Sequence, residues 1–204
     1  MKKIIVSAVA VLAVVSNLNS AMAEESKSYI SGSIGFSTLS DYDIDVEGVG
    51  SAKMKGDDNI SLNAAIGYKG ANNIRNEFEI SYSDFETKDK YGAGVEMDVQ
   101  MISLSGNAYY DFVKAGRDWT PYVGAGAGIT QVKGSDAGGS ETDIAPHVQL
   151  KAGVSTQISE NSSLFADYTF KHVFETSFDA NDGTELTVDS LKTQTLSFGV
   201  RSTF

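Results

Sequence analysis

The sequence predicts an all-β fold: an eight-stranded antiparallel up-and-down transmembrane β-barrel with long extracellular loops and short periplasmic turns. Three observations carry that prediction. Eight segments alternate apolar and polar residues with a period of two. The links between them alternate long and short. After Val15 no apolar run approaches the roughly 20 residues of a spanning helix, so any crossing must use strands, which lipid accepts only in a closed barrel.

The first segment, Tyr29 to Thr38, sets Ile30, Ile34 and Phe36 against Ser31, Ser33, Gly35 and Ser37. In the second, Ile60, Leu62, Ala64, Ile66 and Tyr68 alternate with Ser61, Asn63, Ala65, Gly67 and Lys69. The third opposes Ile74, Phe78, Ile80 and Tyr82 to Arg75, Glu77, Glu79, Ser81 and Ser83. In the fourth, Val95, Met97, Val99 and Met101 keep one parity, and Ile102, Leu104, Ala108, Tyr110 and Phe112 keep the other. That slip predicts a β-bulge near Met101.

The fifth segment, Trp119 to about Val132, sets Val123, Ala125, Ala127 and Ile129 against Tyr122, Gly124, Gly126, Gly128 and Thr130. The sixth sets Val148, Leu150, Ala152, Val154 and Ile158 opposite His147, Gln149, Lys151, Gly153, Ser155 and Gln157. The seventh sets Leu164, Ala166, Tyr168, Phe170 and Phe174 against Asp167, Thr169, Lys171 and Glu175, with Phe165 and Val173 on the polar side. The eighth carries Leu196, Phe198, Val200 and Phe204 on one parity. Pro121 and Pro146 fall near strand beginnings, where a missing N–H is tolerated.

The links at Leu39 to Asp58, Asp84 to Gly94, Lys133 to Asp143 and Ser177 to Asp189 are long. Those at Gly70 to Asn73, Val113 to Asp118 and Ser159 to Ser163 are short. Long loops at one rim, tight turns at the other and an even strand number characterise outer-membrane barrels. A soluble barrel has the same period with its apolar residues inside, so side-chain volume must assign the faces. Eight strands enclose a space barely wide enough for side chains. The apolar set is bulky and the polar set mostly Ser, Gly, Thr and Asn, so the polar set fits inside. A Lys or Arg facing lipid at the midplane costs about 2–4 kcal/mol, which also turns Arg75, Lys151 and Arg201 inward.

The address agrees. Lys2 and Lys3 precede an apolar run from Ile4 to Val15, and Ala21-Met22-Ala23 reads as a cleavage site. Residues 1–23 are therefore expected to be a cleaved signal peptide, and residues 24–204 the barrel domain. A net charge of −11 argues against nucleic acid or an anionic surface as partner. The chain has no Cys, which excludes disulfides and thiolate metal sites.

With the polar parity inside, Lys69, Arg75, Glu77, Glu79, Asp111, Lys151, Asp167, Lys171, Glu175 and Arg201 are expected to project into the lumen and pair, because a lone buried charge is costly. An ion path between them is the rival reading, and so small a barrel leaves little room for one. The GAGAG run, Gly124 to Gly128, lacks the helix a dinucleotide fingerprint needs; its glycines make room for lumen neighbours. His147 and His172 raise a lipid-modifying hydrolase as an alternative, but neither stands at a useful spacing from a serine. Asp41, Asp43, Asp45 and Glu47 form an acidic comb off EF-hand spacing, and Asp179, Asp182, Glu185 and Asp189 make a second acidic loop; both read as solvated. No catalytic residue, metal ligand or cofactor is assigned.

PYVGAGAGI (Pro121 to Ile129), SLFADYTF (Ser163 to Phe170) and the terminal LSFGVRSTF together make the chain resemble the small outer-membrane β-barrel proteins of the OmpA/OmpX, opacity and surface-antigen type. The resemblance spans the mature chain on motifs set more by barrel physics than by an active site. It implies that Leu196, Phe198, Val200 and Phe204 form the signal read by the barrel-assembly machinery, and that the chain ends where the barrel closes. The peptidoglycan-binding domain of the OmpA type has no counterpart in this sequence. The implied location is the bacterial outer membrane, among its lipids and lipopolysaccharide, as a monomer. The expected role is a structural or adhesive surface protein whose loops meet host or matrix proteins, with a small porin or a lipid-A-modifying enzyme as alternatives.

Overall fold

The computed structural model describes residues 27–46, 50–70, 72–89, 96–136, 139–179 and 185–204. The expected signal peptide, Glu47, Val95 and Asp182 lie outside the described residues. The strands are β1 (Lys27–Leu39), β2 (Tyr42–Val46), β3 (Gly50–Lys55), β4 (Asp58–Lys69), β5 (Ile74–Asp89), β6 (Glu96–Asp111), β7 (Trp119–Asp136), β8 (Gly139–Gln157), β9 (Ser162–Val173), β10 (Thr176–Asp179), β11 (Glu185–Val188) and β12 (Leu191–Thr203). β1, β4, β5, β6, β7, β8, β9 and β12 pair antiparallel in that order, and β12 returns to β1 from Tyr29↔Thr203 to Leu39↔Thr193. This ring is the predicted eight-stranded barrel.

Following paired residues from Tyr29 leads through Gly67, Glu77, Asn107, Gly126, Gln149, Lys171 and Thr193, and the circuit re-enters β1 at Leu39. The shift of about ten residues per turn tilts the strands by about 35–45° and sets the bore. Parity decides the rest. Leu150 is 63% exposed and Lys151 beside it 7%; Phe36 is 67% exposed and Ser37 2%. Ile34, Leu62, Ile66, Ile80, Leu104 and Phe198 continue the exposed apolar face around the ring, an area far beyond the patches a soluble monomer shows.

The sheet is taller than a bilayer. β8 has 19 residues, which at about 3.3 Å each and a tilt near 40° rise roughly 48 Å, against an apolar band of about 25 Å. The links expected to be long loops are largely strand. β7 and β8 run on to Asp136↔Gly139, and β5 continues to Asp89. β2, β3, β10 and β11 form a sheet above the ring, β11 pairing with β2 and β3 with the end of β5. Half of the first acidic comb, Asp43 and Asp45, thus lies in strand β2, where Tyr42 and Ile44 on the alternate positions are buried.

The bulge expected near Met101 is absent. β6 keeps one register with β5 and with β7 through Ser83↔Met101 and Met101↔Val132. Val99 and Met101 point inward, on the parity of Ser103, Ser105 and Asn107. They belong to an apolar core with Leu39, Tyr42, Ile44, Met54, Phe85, Val132, Ala145, Val173, Val188 and Leu191, which fills the interior at the loop end. The inward face changes from polar to apolar with height, and the strand does not slip.

Pro146 also departs from expectation, lying inside β8. Its C=O accepts from the Phe174 N–H at 3.0 Å, so its ring nitrogen faces the β9 side, one residue past the last β8–β9 pair, His147↔Val173. The reciprocal bond to Phe174 cannot form without an N–H, and the β8–β9 ladder ends at this point. At the opposite rim the turns are tight: Gly70 N–H donates to Ile74 C=O at 2.8 Å. Asn73 takes φ 62° in that turn, a left-handed conformation asparagine tolerates well.

Candidate functional site

Because inward residues are small on β1, β4 and β7, long side chains from the facing strands can cross the bore. Gly126 and Gly128 are two such concessions: a Cβ would collide with Asn107 at Gly126 and with the Leu104 carbonyl at Gly128. The space they leave holds a polar plug. Near the turns, Asp111 accepts from Arg75 Nε at 2.8 Å and pairs with Lys69 Nζ at 3.0 Å. Glu77 accepts from the hydroxyls of Tyr29 at 3.0 Å and Tyr109 at 2.9 Å. Asp167 accepts from Tyr122 at 2.9 Å.

At mid-height Lys151 pairs with Glu79, both almost fully buried, and Gln149 Nε2 donates to Glu79 at 3.2 Å and Asn107 at 2.7 Å. One level higher, Lys171 Nζ donates to Ser81 and Ser103, each at 2.9 Å. A hydroxyl–imidazole chain continues from Ser103 to Thr130, from Thr130 to His147 Nδ1, and from His147 Nε2 to Ser105, each step 2.9 Å. The apolar core caps it.

The expected lumen residues thus separate into groups. Arg75, Glu77, Glu79, Asp111, Lys151, Asp167 and Lys171 are buried inside. Lys69 stands at the turn-side rim, its side chain 41% exposed. Arg201 reaches the lumen but, among the described residues, stacks on rings instead of forming an ion pair, its guanidinium 5.0 Å from the Tyr29 centroid and 5.2 Å from that of Phe165. Glu175 is exposed beyond the end of β9 and joins nothing in the lumen. Tyr29, Tyr109, Tyr122, Gln149 and Asn107 complete the plug without having been singled out, though each stands on the inward parity of its strand.

Two spaces remain. The interior gap among Ser31, Asn63, Glu79, Lys151 and Asp167 has a volume of about 10 Å³, room for about one water. At the turn end a basin of about 510 Å³ opens over Lys69, Arg75, Asp111 and Arg201. No group of metal-binding side chains occurs among the described residues. His147 has the nearest arrangement to a catalytic base, with Ser105 at 2.9 Å. A hydroxyl instead of a carboxylate holds its other nitrogen, and it is 1% exposed, so no substrate reaches it without unpacking. His172 is half-buried outside, its ring 4.9 Å from that of Phe174.

Of the residues expected to form an assembly signal, Leu196, Phe198 and Val200 are exposed on β12, and Phe204 is 72% exposed, its N–H donating to Ser28 C=O at 2.9 Å. The family described as outer membrane protein beta-barrel domain matches residues 7–204. The chain belongs to that family. No curated protein matches the sequence.

Solved barrels of similar fold include Neisserial surface protein A, 22% identical, covering 89% of this chain and 100% of its own, with a TM-score of 0.60. The outer membrane protein OprG from Pseudomonas aeruginosa is 14% identical, with 86% and 95% covered and a TM-score of 0.67. The outer membrane protein AlkL, solved in lipid bilayers, is 21% identical, with 87% and 90% covered and a TM-score of 0.55. As a member of the outer membrane protein beta-barrel domain family, the protein resides in the bacterial outer membrane, apolar parity toward lipid, with its loops outside and its turns in the periplasm.

Proposed function

We propose that the protein is a non-catalytic surface protein whose lumen is sealed and whose working face is the β-structured platform outside the membrane. The observation that carries this reading is the filled interior: a charged plug with a gap of about 10 Å³ under an apolar core of twelve buried residues. The same core packs against the described strands β2, β3 and β11 above the ring, and an ordered contact surface binds a partner with less entropy loss than a mobile one. One barrel of similar fold, Neisserial surface protein A, is named as a surface protein, in accord with this role. Host or matrix proteins are the partners this platform suits, and export through residues 1–23 with assembly through the terminal strand deliver it.

The test compares adherence of cells with and without the protein to immobilised matrix proteins and serum factors. A protein-dependent gain, lost on exchange of the residue 40–57 and 174–190 segments for short turns, supports the role; equal binding contradicts it. A small channel is the second reading, favoured by the open basin at the turn end.

A further inference from the structure

We propose that the turn-side basin of the lumen is a binding site for a small soluble dianion of the phosphate class, reached from the periplasm. Among the described residues its lining carries five cations, Lys27, Lys69, Arg75, Arg117 and Arg201. Against them stand three acids, Asp111, Asp118 and Glu160. The excess of two positive charges sits in a chain whose net charge is −11, so the local field opposes that of the protein as a whole. A single dianion balances it.

The second observation is the state of the two arginines. Arg75 is 1% exposed; its Nε serves Asp111 and its Nη1 serves Tyr29. Among the described residues its Nη2 has no partner, and neither has the buried Nε of Arg201. A buried donor without an acceptor costs about 1–3 kcal/mol, and native structures keep few of them. Both guanidiniums are fixed by rings: Arg75 lies 4.9 Å and Arg201 5.9 Å from the centroid of Tyr122, with Tyr29 also shared between them. Rigid, already desolvated guanidinium N–H groups meet a tetrahedral oxyanion at little entropic cost. Lys69, at the rim and paired with Asp111 at 3.0 Å, adds a partly exposed ammonium within the same basin. Beyond the basin the lumen narrows to about 10 Å³, so the anion is held at a dead end and does not cross.

The experiment titrates the purified barrel in detergent with inorganic phosphate and with glycerol 3-phosphate, at constant ionic strength and neutral pH, by calorimetry; acetate serves as the monoanion control. Arg201→Gln and Lys69→Gln are measured alongside, with heat-modifiable gel mobility confirming that each is folded. Saturable phosphate binding in the parent, at least tenfold weaker in Arg201→Gln and severalfold weaker in Lys69→Gln, with acetate weaker than either, is the expected result. Tighter binding of the ester than of free phosphate identifies a phosphorylated metabolite as the occupant, and the reverse order identifies phosphate itself. No saturable binding, equal binding of acetate, or unchanged affinity in folded Arg201→Gln overturns the proposal.

Discussion

Replacing Lys151 with methionine is the most informative perturbation of the plug. Lys151 and Glu79 face each other with side chains 6% and 7% exposed, so bulk water does not replace a missing partner, and the gap beside them, about 10 Å³, holds about one water molecule. Glu79 keeps only Gln149 as a hydrogen-bond donor at 3.2 Å, and the carboxylate oxygen that faced the ammonium is left bare. Removing one member of such a buried pair costs about 3–5 kcal/mol, whereas replacing both by apolar residues of similar volume is close to neutral. The prediction is therefore a loss of about 3–5 kcal/mol in Lys151→Met and recovery of most of it in the double variant Lys151→Met/Glu79→Leu. Urea unfolding from lipid vesicles measures both, with the single tryptophan, Trp119, as probe, since it is half exposed on the lipid side of β7. A Lys151→Met barrel within about 0.5 kcal/mol of the parent, or a double variant less stable than the single one, would refute the claim that this pair is enclosed.

Other outcomes follow from neighbouring features. Leu150→Arg puts a guanidinium into hydrocarbon one residue away from Lys151 and is predicted to cost about 2–4 kcal/mol in the same vesicle assay. Phe85→Ala, at a fully buried site of the outer core, should cost about 3–5 kcal/mol and expose the platform to protease while the membrane ring stays protected. Gly128→Val should abolish the folded, heat-modifiable gel band, because the Leu104 carbonyl stands where its Cβ would go. Incubation with lipid A should leave the acyl-chain number unchanged in the parent and in His147→Ala; a change lost in that variant would establish catalysis.

Much of this architecture was legible from alternation alone, because a period of two fixes which residues share a face. Phe36 beside Ser37 and Leu150 beside Lys151 carry enough contrast to assign that face to lipid or lumen. Val99 and Met101 show where the reading fails. Alternation does not say at what height a residue stands, so an apolar residue on the inward parity above the bilayer reads as a slip of register when it is the wall of a second core. Glu175 fails for a related reason: its parity is correct, but β9 has ended before it.

Most charged members of the plug were legible from parity, and their partners were not. Contacts across the bore depend on the shift of about ten residues per circuit, which the pairings reveal and no single strand encodes. Arg201 was expected to meet a carboxylate, and it meets Tyr29 and Phe165. Tyrosines on the inward parity were the available signal, since a hydroxyl on a large ring can both reach a carboxylate and flank a guanidinium.

The central claim is that the bore is closed, and electrical recording tests it most directly. Purified protein inserted into a planar lipid bilayer at 1 M salt, an arbitrary choice of about the highest practical ionic strength to maximise any current, is predicted to give no steady single-channel steps. Reproducible steps of one size from the parent protein would contradict a sealed lumen and move the function to a channel.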